Sequence, residues 1–300
     1  MLVLNNLSNN ELLKLLAIIT LTDGTISKER YKESTYLKCI KLETVSYNSD
    51  QHRLFNYLCK KVFGKETKRF TYLNNKNKKI LCSKLFGKNN ILKILTLSPT
   101  YKTSKYYKEE TNDFLNAAQP TIKFILSDKN IRIKKLALRT YFDFDGCIIP
   151  SFKIKNKKDK KKGKVYKYYH LCFDCVIKIS ETNPNLVKEL IKLCNSIGIN
   201  ALIDRDKRNW SGIGGIRISQ LEGIKRFIKF GGPITNVKVS SKSKRFHMKT
   251  KLSLCKAVMK ILNSGMQRSY YTKDYEKALE KKEELNKLLM SEIENYNKLK

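Results

Sequence analysis

The sequence predicts an α+β fold of two pseudo-symmetric α-β-β-α-β-β-α repeats. Each repeat forms an antiparallel, saddle-shaped sheet, the leading helices pack at the centre, and further helices follow at the C-terminus. Three observations lead there. One apolar stretch of helical length ends on Asp23-Gly24 and another on Asp145-Gly146, with strand-like runs after both. The same landmarks then recur in the same order. Their spacing stays nearly constant except at one insertion.

In the first repeat, Ser8-Asn9-Asn10-Glu11 reads as a capping box opening a helix. Leu12, Leu13, Leu15, Leu16, Ala17, Ile18 and Ile19 make that helix apolar nearly all round, as expected of one buried between two units. Gly24 reads as its stop. Strand-like runs follow near 25–30 and 36–46. Ser49-Asp50 opens a helix carrying Leu54, Phe55, Leu58 and Cys59, and Gly64 ends it. The polar turn Asn74-Asn75-Lys76-Asn77-Lys78 separates two halves of a hairpin. A short helix over 89–97 leads to Ser98-Pro99-Thr100-Tyr101-Lys102, and 103–129 reads as a linker.

The second repeat starts near Asn130. Its helix ends at Asp145-Gly146, and strands are expected over 147–155 and 168–180. Asn183-Pro184 opens a helix with Leu186, Leu190, Leu193 and Cys194. A hairpin over 201–208 and 213–219 and a helix over 221–230 complete the unit, before Pro233 and Lys238. Asp23 and Asp145 lie 122 residues apart, Cys59 and Cys194 135, Pro99 and Pro233 134, and Lys102 and Lys238 136. The offset grows once and then holds, as a single insertion would produce. The lysine-rich run 153–167 is that insertion, expected as a mobile loop gripping phosphates. The expected domains are 1–119, 120–250 and a C-terminal helical extension, 251–300. In the extension a helix carries Leu252, Leu254, Val258, Met259, Ile261 and Leu262. The last helix, from about Thr272, places Leu279, Leu285, Leu288, Leu289, Ile293 and Tyr296 on roughly one face for packing on the body.

The chain has 62 Lys+Arg against 27 Asp+Glu, a net charge of +35. Solubility needs far less, so the excess implies a polyanionic partner. Residues 121–270 carry +24 of it and 271–300 carry none, so the charge belongs to the body rather than a tail. No apolar run approaches the ~20 residues of a membrane span, and the first ten residues lack signal-peptide features. The chain is expected to be a monomer without a membrane partner, intracellular, in the cytoplasm or in an organelle with its own genome. Of eight cysteines only Cys172 and Cys175 have metal-like spacing. In a strand these two point to opposite faces, so they read as small hydrophobes rather than zinc ligands.

The stretch Leu138-Arg139-Thr140-Tyr141-Phe142-Asp143-Phe144-Asp145-Gly146 and its looser partner Leu16–Gly24 resemble the paired motifs of single-chain LAGLIDADG homing endonucleases. The resemblance covers roughly 1–260. It departs at Ile18 and Thr140, where the family places a small residue, at Thr22 and Phe144 before the acids, and at Leu21, which replaces the first motif's earlier acid. It implies a metal-dependent enzyme making a staggered double-strand break in DNA at a long target. It implies Asp23 and Asp145, with adjoining Gly24 and Gly146, as the site of two or three Mg²⁺ ions. It also places Lys102 and Lys238 near the scissile phosphates.

The chemistry agrees with the residue types. Phosphodiester hydrolysis needs a nucleophilic hydroxide, charge neutralisation and a stabilised leaving oxygen, and carboxylate-held divalent metals supply all three. Recognition is expected from strand faces laid into the major groove of double-stranded DNA. Alternation sets Ser151, Lys153 and Lys155 opposite apolar Ile148, Phe152 and Ile154, and sets His170 and Lys178 opposite Leu171, Phe173 and Ile177. Lys28, Arg30, Arg205, Arg217 and Ser219 complete the expected contacts. Two other uses of the fold stay open: a splicing maturase binding intron RNA, and a DNA-binding regulator that does not cut.

Overall fold

A computed structural model describes residues 2–31, 34–45, 47–102, 118–161, 164–240, 243–264 and 269–298. After a 3-10 turn at Leu2–Leu4, the first repeat runs α1 (Asn9–Leu21), β1 (Gly24–Tyr31), β2 (Ser34–Val45), α2 (Ser49–Phe63), β3 (Lys68–Leu73), β4 (Lys79–Phe86) and α3 (Lys88–Leu95). A short α4 (Lys123–Leu126) precedes α5 (Ile131–Asp145), β5 (Gly146–Lys161), β6 (Lys164–Ser180), α6 (Pro184–Ser196), β7 (Leu202–Arg205), β8 (Ile213–Ile218) and α7 (Leu221–Lys229). Then come α8 (Lys251–Asn263), β9 (Ser269–Thr272) and α9 (Tyr275–Lys298). One sheet has the order β1-β2-β4-β3 and the other β5-β6-β8-β7, with β9 also paired to β6. The strand order repeats, and the fold is α+β with a two-repeat layout as expected.

The chain forms two compact units: 1–147 with 178–218 and 233–238, and 148–177 with 219–232 and 239–300. In the first, α1 packs on α2, α3, α5 and the β1–β2 pair. That is why it is apolar all round: Leu12, Leu15, Leu16, Ala17, Ile18, Ile19 and Leu21 are all buried. Each large side chain so buried contributes roughly 1.5–3 kcal/mol. In the second, α9 lays Ala278, Leu285, Leu289 and Ile293 inward and packs on α8 and β9. Lys260–Glu292 (2.8 Å) and Lys249–Glu294 ion pairs flank the α8–α9 seam.

Several expectations change. Gly146 is no left-handed helix stop: its φ and ψ are −93° and 157°, and its need is for space. Ser49-Asp50 does not cap α2; Asn48 holds the N-cap position but makes no side-chain cap bond, because its Oδ1 accepts from the Lys238 N–H (3.1 Å). The lysine-rich insert is not a loop. β5 runs to Lys161 and β6 starts at Lys164, and the two are hydrogen-bonded neighbours in the sheet, because backbone pairing does not depend on side-chain charge. Ser219 lies just past β8 rather than in it. Residues 103–117 of the expected linker lie outside the described residues, and α4 occupies part of the rest. Strand β9 was not anticipated.

Two buried ionisable groups in the first unit oppose each other in pH. His52 is fully buried, with Nδ1 2.7 Å from Ser83 Oγ and Nε2 3.0 Å from Thr44 Oγ1. Burial, with the Arg69 charge adding to it, lowers its pKa to about 4. Its contribution to stability is therefore present above the unfolded-state value near 6.5 and is lost as pH falls toward 4. Burial raises the Glu181 carboxyl to about 7, against hydrogen bonds from the Asn183 and Thr182 backbones. Its contribution is present below about 4.5 and is lost as pH rises through 7. Between pH 4.5 and 6.5 the two slopes offset. The Glu181→Gln variant should uncover the histidine slope, losing up to about 3 kcal/mol between pH 6.5 and 4. Urea denaturation at the two pH values reads it. A Glu181→Gln profile as flat as the parent's would contradict the assignment.

Candidate metal and nucleic-acid site

The two Asp-Gly motifs sit at the C-terminal ends of α1 and α5. These helices contact each other, and their starts are tied together. Asn130 Nδ2 donates to Glu11 Oε1 (2.6 Å), Lys14 pairs with Asp128 (2.6 Å), and Arg132 Nη2 donates to the Val3 carbonyl (2.8 Å). With starts joined and lengths of 13 and 15 residues, roughly 20 and 22 Å, the helices run the same way and end at the same end. Asp23 follows the last turn of α1 and Asp145 is the last residue of α5, both half-buried. Ile18 and Thr140 are both buried. The Thr140 hydroxyl is satisfied by donating to the Leu136 carbonyl (2.8 Å).

The glycine after each aspartate lets the chain fold straight back over the helix. A Cβ at Gly24 would stand 2.5 Å from Thr20 Cα and 2.8 Å from the Ile19 carbonyl oxygen. At Gly146 it would stand 2.4 Å from Phe142 Cδ2 and 2.6 Å from Phe142 Cα. Each aspartate is thus held at the carbonyl end of a helix, where the dipole favours a cation. Carboxylates beside helix-end carbonyls form an all-oxygen donor set suited to a hard divalent ion such as Mg²⁺. Among the described residues no three His, Cys, Asp or Glu side chains gather to hold a metal. The protein would therefore contribute the helix-tip acids, leaving coordination for water and phosphate oxygens.

Sequence reasoning missed the clamps around this end of the unit. Asp143 is fully buried; its carboxylate accepts from the Ile234 N–H (3.0 Å) and the Thr235 N–H (3.0 Å). One turn back, Arg139 Nη2 donates to the Pro233 carbonyl (3.2 Å). Burial pushes this guanidinium below its usual range, partly offset by the Asp143 charge. Gln51 Nε2 of α2 donates to the Asp143 carbonyl (3.1 Å). Segment 233–238, which carries Lys238, is therefore fixed by α5 on one side and Asn48 on the other. The sequence signal was a charged pair four apart, Arg139 and Asp143, within the largely apolar stretch Leu136–Phe144, which must find partners if buried.

Lys102 is held through an analogous chain of bonds to α6. Its backbone N–H donates to Thr100 Oγ1 (3.1 Å), and Ser98 Oγ bridges the Thr100 carbonyl (2.7 Å) and the Thr121 N–H (3.1 Å). Buried Glu189 accepts from Thr121 Oγ1 (2.9 Å) and the Ile122 N–H (2.6 Å). Lys102 is exposed and Lys238 half-buried. Each lysine-bearing segment thus docks on the first turns of a helix from the other repeat. The Tyr141 hydroxyl, fully buried on α5, has no hydrogen-bond partner among the described protein atoms. Burial and then the charges of Glu181 and Asp145 hold its proton in place.

The expected DNA contacts divide. Lys28 is exposed at a bulge after Ser27, which turns both residues to the outer face of the first sheet. A second bulge, between Asp204 and Arg205, places Arg205 on the face that Arg217 shares, and both are exposed. Lys178 pairs with Asp204 (2.7 Å) and Lys153 with Asp174. Such partly exposed pairs are weak enough to exchange for phosphates. Lys155 is exposed and Ser151 half-buried. His170 Nε2 is 2.7 Å from Ser269 Oγ, and burial, then Lys155 and Lys157, lowers its pKa. Ser219 is exposed beyond the strand. The Arg30 side chain lies outside the described residues. No helix among the described residues is long and apolar enough to cross a membrane.

Fold and site together define a two-repeat α+β protein with paired helix-tip aspartates and basic strand faces. No family model matches the chain, and no curated protein does. Solved structures similar to it include mesophilic variants of the homing endonuclease I-DmoI, at 14% identity over 74% of this chain and 88% of that one, TM-score 0.45. They include the LAGLIDADG homing endonuclease I-GzeII in complex with a DNA target, at 14% identity over 85% and 92%, TM-score 0.42. They also include the LAGLIDADG meganuclease I-AabMI bound to uncleaved DNA, at 13% identity over 90% and 98%, TM-score 0.44.

Proposed function

We propose that this chain is a divalent-metal-dependent endonuclease that cuts double-stranded DNA at a long, specific site. One observation carries the reading: two packed helices run the same way and each ends on a half-buried aspartate that a sterically required glycine holds in place. Asp23 and Asp145 would hold divalent ions, which supply charge neutralisation and an activated water when bound. Two acids at a pseudo-two-fold suit one cut in each strand. Lys102 and Lys238, on clamped segments, would stabilise charge at the phosphates. The outward Lys28, Lys155, Arg205 and Arg217 would bind backbone and base edges.

A plasmid library of candidate targets tests this. Linear product is expected with Mg²⁺, and none with chelator. Target binding without cutting under every divalent metal points instead to a regulator. Salt-sensitive binding alone distinguishes nothing, because any chain of this charge shows it.

A further inference from the structure

Beside His170, already placed among the expected DNA contacts, the second unit carries a group of aromatic rings that neither the metal site nor the groove-reading cations account for. Tyr166, Tyr168 and His170 alternate along β6 and share one face. Strand β9 sets Tyr271 directly opposite His170. The two rings stack face to face, with centroids 4.3 Å apart and planes within 6°. Tyr168 leans on Tyr271 at 5.9 Å. The Ser269 bond to His170 fixes the imidazole plane. On the other face of the strand, Tyr169 packs edge-on against Tyr275 at 5.2 Å and ties this edge to α9. The rings are therefore held rigid, yet Tyr271 is 60% exposed and Tyr166 45%.

Fixed rings with an exposed face offer a surface on which another planar group can stack. The first sheet offers a contrast: its exposed Phe70 and Phe86 lie under the ammonium groups of Lys84 (4.9 Å) and Lys68 (5.7 Å). Among the described residues no cation–π contact covers Tyr271. Lys155 and Lys157 are exposed and close enough to bear on His170, so cations surround the rings without capping them. Aromatic rings bordered by lysines are the usual means of binding single-stranded nucleic acid. In a duplex the base faces are already stacked on one another, so a protein ring gains this contact only from an unpaired base. We propose that the outer face of β6 and β9, centred on Tyr271 and His170, is a stacking platform for unpaired bases. The chain would use it to bind single-stranded nucleic acid in addition to duplex.

The test needs no metal and no cleavage, so its outcome is separate from that of the nuclease proposal. Binding of the full chain is measured by anisotropy with labelled 12-mers of one sequence as RNA and as DNA, with the DNA duplex, and with an abasic strand of equal charge. Tyr271→Ala should weaken binding of the base-bearing strands about tenfold and leave the abasic strand and the duplex unchanged. Tyr271→Trp should restore it. Tighter RNA binding assigns the platform to RNA; equal or tighter DNA binding assigns it to a displaced DNA strand. Equal losses on base-bearing and abasic strands, or no loss on either, overturn the proposal. If circular dichroism shows Tyr271→Ala unfolded, the emission of Tyr271→Trp above the Trp210 background decides. Quenching by base-bearing but not abasic strands supports the platform, and quenching by both or by neither rejects it.

Discussion

Replacing both helix-tip aspartates, Asp23→Asn with Asp145→Asn, should abolish double-strand cleavage while leaving target binding in Ca²⁺ within a few fold. Asparagine keeps the shape and one oxygen but removes the charge that balances a divalent ion. The size expected for each single variant is on the order of 10²–10³-fold in cleavage rate, as for loss of one preorganised electrostatic group. The pairing makes a sharper expectation. If each acid serves one strand, a single variant should convert supercoiled plasmid to nicked circle and stop there. If the acids act together on both strands, each single variant should leave the plasmid supercoiled. Undiminished linear product from the double variant would remove these residues from the chemistry. Stability should change little, because both side chains reach solvent in part.

The fold around the candidate site was legible where its cause is local. An Asp-Gly pair closing an apolar helix, a capping box and strand alternation each depend on a few neighbouring residues, and these held. The spacing between copies also survived, because the repeated strand order rests on it. What could not be read depends on partners far along the chain. Ser269–Thr272 is four residues long and is a strand only because β6 offers it a ladder. The lysine run looked like a loop because charge is a local cue, whereas pairing between β5 and β6 is not. The bulge that turns Arg205 outward exists only in register with β8. Asp143 was in plain view in the second motif, but the backbone it clamps lies about ninety residues away. Gly146 ends its helix as expected, but not through left-handed backbone: what it supplies is room.

That last point yields the second large effect. Gly146→Ala should cost about 3 kcal/mol or more, at the upper end of overpacking penalties. The added methyl would lie 2.6 Å from Phe142 Cα and 2.7 Å from its carbonyl oxygen. Backbone atoms inside a helix cannot swing aside as a side chain does, so the strand start must move instead. With φ at −93° alanine has no conformational objection, and the whole penalty is contact. Gly64→Ala is the matched control. There φ is 67° and nothing lies within 4 Å of a built Cβ, so the cost is conformational and about 1 kcal/mol. Urea midpoints of the two variants should separate accordingly. Because Asp145 precedes the displaced residue, Gly146→Ala should also lower cleavage well below the temperature at which it unfolds, whereas Gly64→Ala should cleave like the parent. Equal midpoints for the two variants would mean that the chain after α5 has room the geometry denies it, and that Asp145 is not held by its neighbour.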